Sequence, residues 1–253
     1  MSKIILNDVS LSYPLYNLQN YSLRRAMINW LTFGKVFKQE RAITSYTALQ
    51  NISFDLQKGD RLGLIGCNGA GKTTLLKTIG KWYAPTSGNL KVEGRITALF
   101  DMCVGMDMDR TGLQNIHYMG MLMGMSTQHL KASLDNIIEF AEIGDFIHQP
   151  VRTYSAGMKI RLGFAICTCL QPGILLLDEG IGAGDRGFID KAAERAKSLY
   201  HRAEILVIAS HSSLIIQQLC NKVLWLHQGK MMMLGDVETV LTAYENFSDT
   251  KRA

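Results

Sequence analysis

Gly66-Cys67-Asn68-Gly69-Ala70-Gly71-Lys72-Thr73 is the stretch on which the reading of this chain turns. Gly66 and Gly71 enclose four residues and are followed by Lys and Thr, the phosphate-loop pattern. Before it, Arg61-Leu-Gly-Leu-Ile65 after the turn Gly59-Asp60 reads as a buried strand; after it, Lys72 to Ile79 reads as a helix. In that context the glycines let backbone N–H groups converge on phosphate oxygens at a helix N-terminus. Lys72 is expected to reach the β- and γ-phosphates and the Thr73 hydroxyl to ligate Mg²⁺, with Asn68, Gly69, Ala70, Gly71 and Thr74 completing the cradle. A glycine turn without a ligand is the competing reading, and the flanking strand and helix weigh against it.

A second segment, Ile174-Leu-Leu-Leu177, is apolar throughout and ends in Asp178-Glu179. A run without alternation marks a strand buried on both faces, as in parallel sheets. An acid pair at a strand end is often only solvated. Beside a phosphate loop, however, Asp178 supplies a carboxylate for Mg²⁺ and Glu179 a general base that polarises water for attack on the γ-phosphate. The reaction class is ATP hydrolysis, with phosphoryl transfer to a small substrate still open on these residues alone.

Further out, Ile4 to Tyr13 alternates apolar and polar residues as a half-buried strand closed by Pro14, and Leu49 to Leu56 alternates again. Pro85-Thr-Ser-Gly88 is a turn before two short strands, Leu90 to Val92 and Arg95 to Phe100. From Thr111 to Leu170 apolar residues recur at three and four, as in Leu134, Ile137, Ile138 and Ala141, which predicts a helical lobe. A helix from Phe188 to His201 and a strand from Glu204 to Ala209 follow. The expected class is α/β, a parallel sheet wrapped by helices. Tyr21 to Arg41 stands apart: Trp30 and Phe33 among Arg24, Arg25 and Lys35 make it basic, aromatic and amphipathic.

With 253 residues, 47% of them hydrophobic and 19% charged, the chain can bury a core, and 4 Pro against 23 Gly argue against disorder or a collagen repeat. No stretch reaches the roughly 18 consecutive apolar residues of a membrane span, and the N-terminus lacks the core of a signal peptide, so a cytoplasmic protein is expected. The 5 cysteines lack zinc-site spacing and read as reduced thiols. A net charge of +5 suits nucleotides, anionic lipid or nucleic acid without choosing between them.

Tyr154-Ser-Ala-Gly-Met158, upstream of the Asp178-Glu179 strand, resembles the Leu-Ser-Gly-Gly-Gln signature of ABC ATPases. By itself it is a Ser N-cap opening a helix. The order of the remaining motifs supports the resemblance: Gly180 to Asp185 is similar to the family's D-loop, and His211 ends the next strand as the switch histidine does. The resemblance implies a P-loop NTPase of ABC ATPase type, with a RecA-like parallel sheet core, an antiparallel β subdomain and a helical subdomain. Residues 1–100 and 171–253 would form the catalytic and β lobe, 101–170 the helical lobe, and 21–41 a gate-like insertion. It also implies ATP and Mg²⁺ as cofactors. Glu179 and His211 would be catalytic, Tyr46 would stack on adenine rather than serve as an ordinary strand-edge tyrosine, and Ser155, Gly157, Met158 and Asp185 would bind ATP held by a second subunit of a homodimer. Where the family keeps a glutamine after the strand ending at Phe100, this chain has Asp101, either a third metal contact beside Thr73 and Asp178 or a solvated loop acid.

Leu11-Ser-Tyr-Pro14, Thr111-Gly-Leu-Gln-Asn115, Pro150 to Met158 and Asp178 to Asp185 are similar to the variants found in ATP-binding subunits of polysaccharide exporters, those for bacterial O-antigen in particular. That likeness implies two copies of a separate transmembrane permease, an undecaprenyl diphosphate-linked glycan as cargo and a place on the cytoplasmic face of the inner membrane. With only about forty residues after His211, the carbohydrate-binding domain that some O-antigen exporters add is not expected. Tyr21 to Arg41 would lie at the headgroups or against the permease. Capsule or teichoic-acid export keeps the same machine with another cargo. A soluble ABC ATPase acting on nucleic acid or ribosomes is the other class, but no dense basic tract supports it, and no nucleic acid is expected as partner.

Overall fold

The strands without polar alternation lie where both sheet faces are covered. In the computed structural model, which describes residues 1–15, 44–100, 102–170, 172–178 and 186–250, they are β3 (Arg61–Ile65), β6 (Ile174–Leu177), β7 (Ile205–Ala209) and β8 (Lys222–His227). Ile174 and Leu176 of β6 enter one core cluster while Leu175 and Leu177 enter the other, so a continuous apolar run serves two cores at the period of two. With β5 (Ile96–Ala98) at the edge, the order β8-β3-β7-β6-β5 is parallel throughout.

The rest of the nine-stranded sheet is largely antiparallel. β1 (Lys3–Leu15) lies between β2 (Thr44–Gln57) and β4 (Ser87–Glu93), and β9 (Lys230–Gly235) folds back on β8. β2 meets β9 through the pair Gln50 and Lys230, which joins the two parts. The antiparallel flank beside the parallel core is the arrangement the sequence led us to expect. Pro14 does not close β1. The strand continues to Leu15, with Pro14 opposite Ser45, because pairing with β4 ends at Ser10 and the flank beyond needs no N–H.

Helix α1 (Lys72–Ile79) packs Leu75, Leu76 and Ile79 on one sheet face. The helices α2 (Gly112–Leu122), α3 (Thr127–Ala141) and α4 (Ala156–Thr168) share a third core built on Ile116, Ile137 and Leu162. A Thr111 capping box opens α2: its hydroxyl accepts from Gln114 N–H while the Gln114 side chain accepts from Thr111 N–H. Helices α5 (Arg186–Arg202) and α7 (Val237–Thr250) cover the second sheet face, and α6 (Ser213–Leu219) adds Ile216. Phe140 of α3, Phe164 of α4 and Phe188 of α5 meet with centroids 5.4 to 6.0 Å apart and join the helical core to the sheet.

Candidate nucleotide-binding site

The loop between β3 and α1 turns on two contacts, Ala70 N–H to the Cys67 carbonyl at 3.1 Å and Leu75 N–H to the Gly71 carbonyl at 2.8 Å. Gly71 is the N-cap at φ +105°, a left-handed conformation that glycine adopts without strain, and no side chain caps α1 among the described residues. The first-turn amides and the helix dipole therefore face whatever anion occupies the loop. Gly66 is constrained from behind: a Cβ there would lie 2.2 Å from the Leu226 carbonyl oxygen of β8.

Four predicted side chains come together around this loop. Lys72 is buried, and its Nζ donates to the carbonyls of Gly66 at 2.6 Å and Cys67 at 3.3 Å. The same Nζ lies 3.3 Å from Nε2 of His211, just beyond the end of β7. The Thr73 hydroxyl donates to Oδ2 of Asp178, at the end of β6, over 2.7 Å. Contacts spanning 105 and 139 residues in sequence thus converge because β3, β7 and β6 are adjacent and parallel, with their C-terminal ends on one side.

The cavity above the loop has a volume of about 310 Å³. Asn68 to Thr74 form its floor, Asp178 and His211 one wall, and Tyr13, Tyr46 and Ala48 the other. Tyr46 is 53% exposed, so its ring is open to a flat ligand. Tyr13 and Ala48 line the cavity and were missed by sequence reasoning as site residues, and Tyr13 brings a second ring to the wall of Tyr46. Tyr13 stands opposite Tyr46 in the β1–β2 register and packs edge-on against Tyr83 at 5.7 Å. Burial raises its phenol above the ordinary tyrosine value, so the hydroxyl stays protonated. The Leu11-Ser-Tyr-Pro14 segment held the signal, but only strand pairing shows which tyrosines share a wall.

Ser155 caps α4, its Oγ accepting from Met158 N–H at 3.2 Å, and a Cβ on Gly157 would meet only the Ser155 Oγ, at 3.9 Å. Ser155, Gly157 and Met158 do not line the cavity that holds Lys72. Glu179, Asp185, Asp101 and the segment 21–41 lie outside the described residues. For Mg²⁺ the donor set fits: the Thr73 hydroxyl and the Asp178 carboxylate are hard oxygen ligands 2.7 Å apart, a number that suits an ion completing its shell with water and substrate phosphates. A second cavity, of about 260 Å³, is apolar and lined by Trp82, Met102, Val104, Met119 and Leu122 between β5 and α2. Val104 and Leu122 are more than half exposed on its rim.

A family model described as ABC transporter matches residues 49–182. The O-antigen export system ATP-binding protein RfbE of Yersinia enterocolitica is 42% identical over 90% of this chain and 96% of its own length. The O-antigen export system ATP-binding protein RfbB of Myxococcus xanthus is 37% identical over 96% of this chain, which spans 56% of that protein. The teichoic acids export ATP-binding protein TagH of Listeria innocua is 34% identical over 97% of this chain and 70% of its own. Among solved structures, a dimeric ATP-binding cassette in a post-hydrolysis state with ADP and phosphate superposes with a TM-score of 0.66 at 18% identity, covering 92% of this chain and 98% of that one. An ATP-binding subunit of an ABC transporter gives a TM-score of 0.68 at 19% identity, covering 96% and 93%.

Proposed function

Because the chain belongs to the ABC transporter family, we propose that it is the ATP-hydrolysing subunit of an exporter of lipid-linked polysaccharide, of the O-antigen class. The observation that carries this reading is the convergence of Lys72, Thr73, Asp178 and His211 on one cavity over a glycine loop. Lys72 places its charge at the cavity floor, where phosphate oxygens of ATP exchange for the carbonyls it now contacts. Thr73 and Asp178 hold Mg²⁺, which when bound neutralises charge on the β- and γ-phosphates. Glu179, next in sequence to Asp178, takes the proton of the attacking water, and His211 orients the γ-phosphate. Tyr46 and Tyr13 offer ring faces to the adenine.

Ser155, Gly157, Met158 and Asp185 serve the nucleotide of a second copy, a role consistent with the absence of Ser155, Gly157 and Met158 from the lining of the cavity that holds Lys72. ATP closes the homodimer and hydrolysis reopens it. No helix among the described residues is long and apolar enough to cross a membrane. Translocation is therefore assigned to a membrane-embedded partner, two copies per complex, with this subunit on the cytoplasmic face of the inner membrane. The apolar cavity beside Trp82, Val104 and Leu122 is its docking place. The higher identity to RfbE than to TagH favours O-antigen over teichoic acid as the glycan.

The test is Glu179→Gln. Purified from membranes with ATP, this variant should retain nucleotide, copurify with a polytopic partner and an undecaprenyl diphosphate-linked glycan, and lose turnover by at least about a hundredfold. Unchanged turnover removes Glu179 as the base, and copurification with nucleic acid removes the transport reading.

A further inference from the structure

We propose that Gly229, in the turn joining β8 to β9, is a positioning residue for the nucleotide: it sets the phosphate loop against β2, the strand that carries Tyr46. The inference rests on the ATP-binding reading above. Gly229 N–H donates to the carbonyl of Ala70 in the loop at 2.9 Å, and its own carbonyl accepts from Gln50 N–H in β2 at 2.8 Å. One residue thus bridges the phosphate side of the cavity and the aromatic side. The approach is close on both sides. A Cβ on Gly229 would lie 2.5 Å from the Ala48 carbonyl oxygen, and one on Gly71 would lie 2.9 Å from that same oxygen and 3.6 Å from the Gly229 Cα.

A tight hairpin by itself asks for glycine here. Gln228 and Gly229 have φ of +48° and +77°, the left-handed pair that a two-residue turn requires. That requirement explains the dihedral. It does not explain why the turn is bonded to two segments outside the hairpin, nor why there is no room for a Cβ beside Ala48. β2 and β9 share a single paired position, Gln50 with Lys230, so on this side the Gly229 bridge acts with the close approach of Gly71 to Ala48 in setting the distance between Tyr46 and the loop. Nucleotide is the ligand that touches both walls, and the cost of misregister falls on a molecule with a base and a phosphate tail rather than on phosphate alone.

Gly229→Asn separates the two roles, because Asn tolerates the left-handed turn but carries a Cβ into Ala48. Calorimetry should show ATP binding weakened about tenfold, a change of about 1.4 kcal/mol, with tripolyphosphate binding changed by less than about threefold. Gln228→Gly, which keeps the turn and leaves the bridge intact, should bind both as the wild type does. Wild-type affinity for ATP in Gly229→Asn, or equal losses of ATP and tripolyphosphate, overturns the proposal. Failure of the wild type itself to bind ATP overturns the functional reading instead. Hydrogen exchange on the unmodified chain covers the case of a variant that does not fold: ATP should slow exchange at Gly229 and Gln50 by at least about fivefold, and unchanged exchange at both amides refutes the bridge.

Discussion

Cys67 is exposed in the phosphate loop, whereas Cys167 and Cys220 are held by burial at about 12, too high to form thiolate at neutral pH. Iodoacetamide at pH 8 should therefore modify Cys67 well before those two, and ATP should slow that reaction by ordering the loop whose Cys67 carbonyl accepts from Ala70 N–H and Lys72 Nζ. Peptide mapping after timed labelling reads both effects. A second residue-scale prediction concerns acid. Hydrogen bonds from the Ser2 backbone and side chain, then Lys58, hold the Glu204 carboxyl down at about 2. A depressed carboxyl contributes stability that is complete above its unfolded value of about 4.3 and is lost as pH falls towards 2. Urea midpoints of Glu204→Gln and wild type should converge over that window and differ at neutral pH.

At the scale of elements, Arg195 of α5 binds three helices together. It donates to Asn136 Oδ1 of α3 at 2.7 Å and to Cys169 Sγ beyond α4 at 3.0 Å, and its guanidinium lies 4.2 Å over Phe140. Arg195→Ala should cost roughly 1–2 kcal/mol in urea unfolding, since half-buried charge-assisted bonds and a cation–π contact are lost together. Arg195→Lys should recover only part of this, a point charge having no fork to serve Asn136, Cys169 and Phe140 at once. Much of the element map was legible beforehand. The β3–loop–α1 unit and the all-apolar β6 and β7 follow from local pattern, because burial on both faces leaves an uninterrupted apolar run. β1 past Pro14 and β2 before Leu49 were not legible, since their pairing with each other, Tyr13 with Tyr46 and Pro14 with Ser45, is what extends them.

At the scale of the whole molecule, the proposed machine has two nucleotide sites made between two copies. Glu179→Gln should run as a dimer with ATP and as a monomer with ADP on size-exclusion chromatography; monomer in both would break the trans assignment of Ser155. Val104→Asp with Leu122→Asp should leave ATP binding intact and abolish copurification with the membrane partner, because a charge in an apolar groove is costly to desolvate. Replacing Arg24, Arg25 and Lys35 with Ala should impair export while sparing ATPase activity, as an element facing an anionic headgroup would require.

Taken alone, the amino-acid sequence determined the α/β class and pointed to the phosphate loop and the acid at the end of β6, because each is a local pattern whose chemistry needs those residue types in that order, while the histidine after β7 was marked only by family resemblance. It left open which tyrosine shares a wall with Tyr46, that Thr73 bonds Asp178, and that the β8–β9 turn reaches the loop at Ala70. Those contacts join residues far apart in sequence. Their geometry is set by strand order and by the close packing of backbone on backbone, and neither is encoded in any single stretch of sequence.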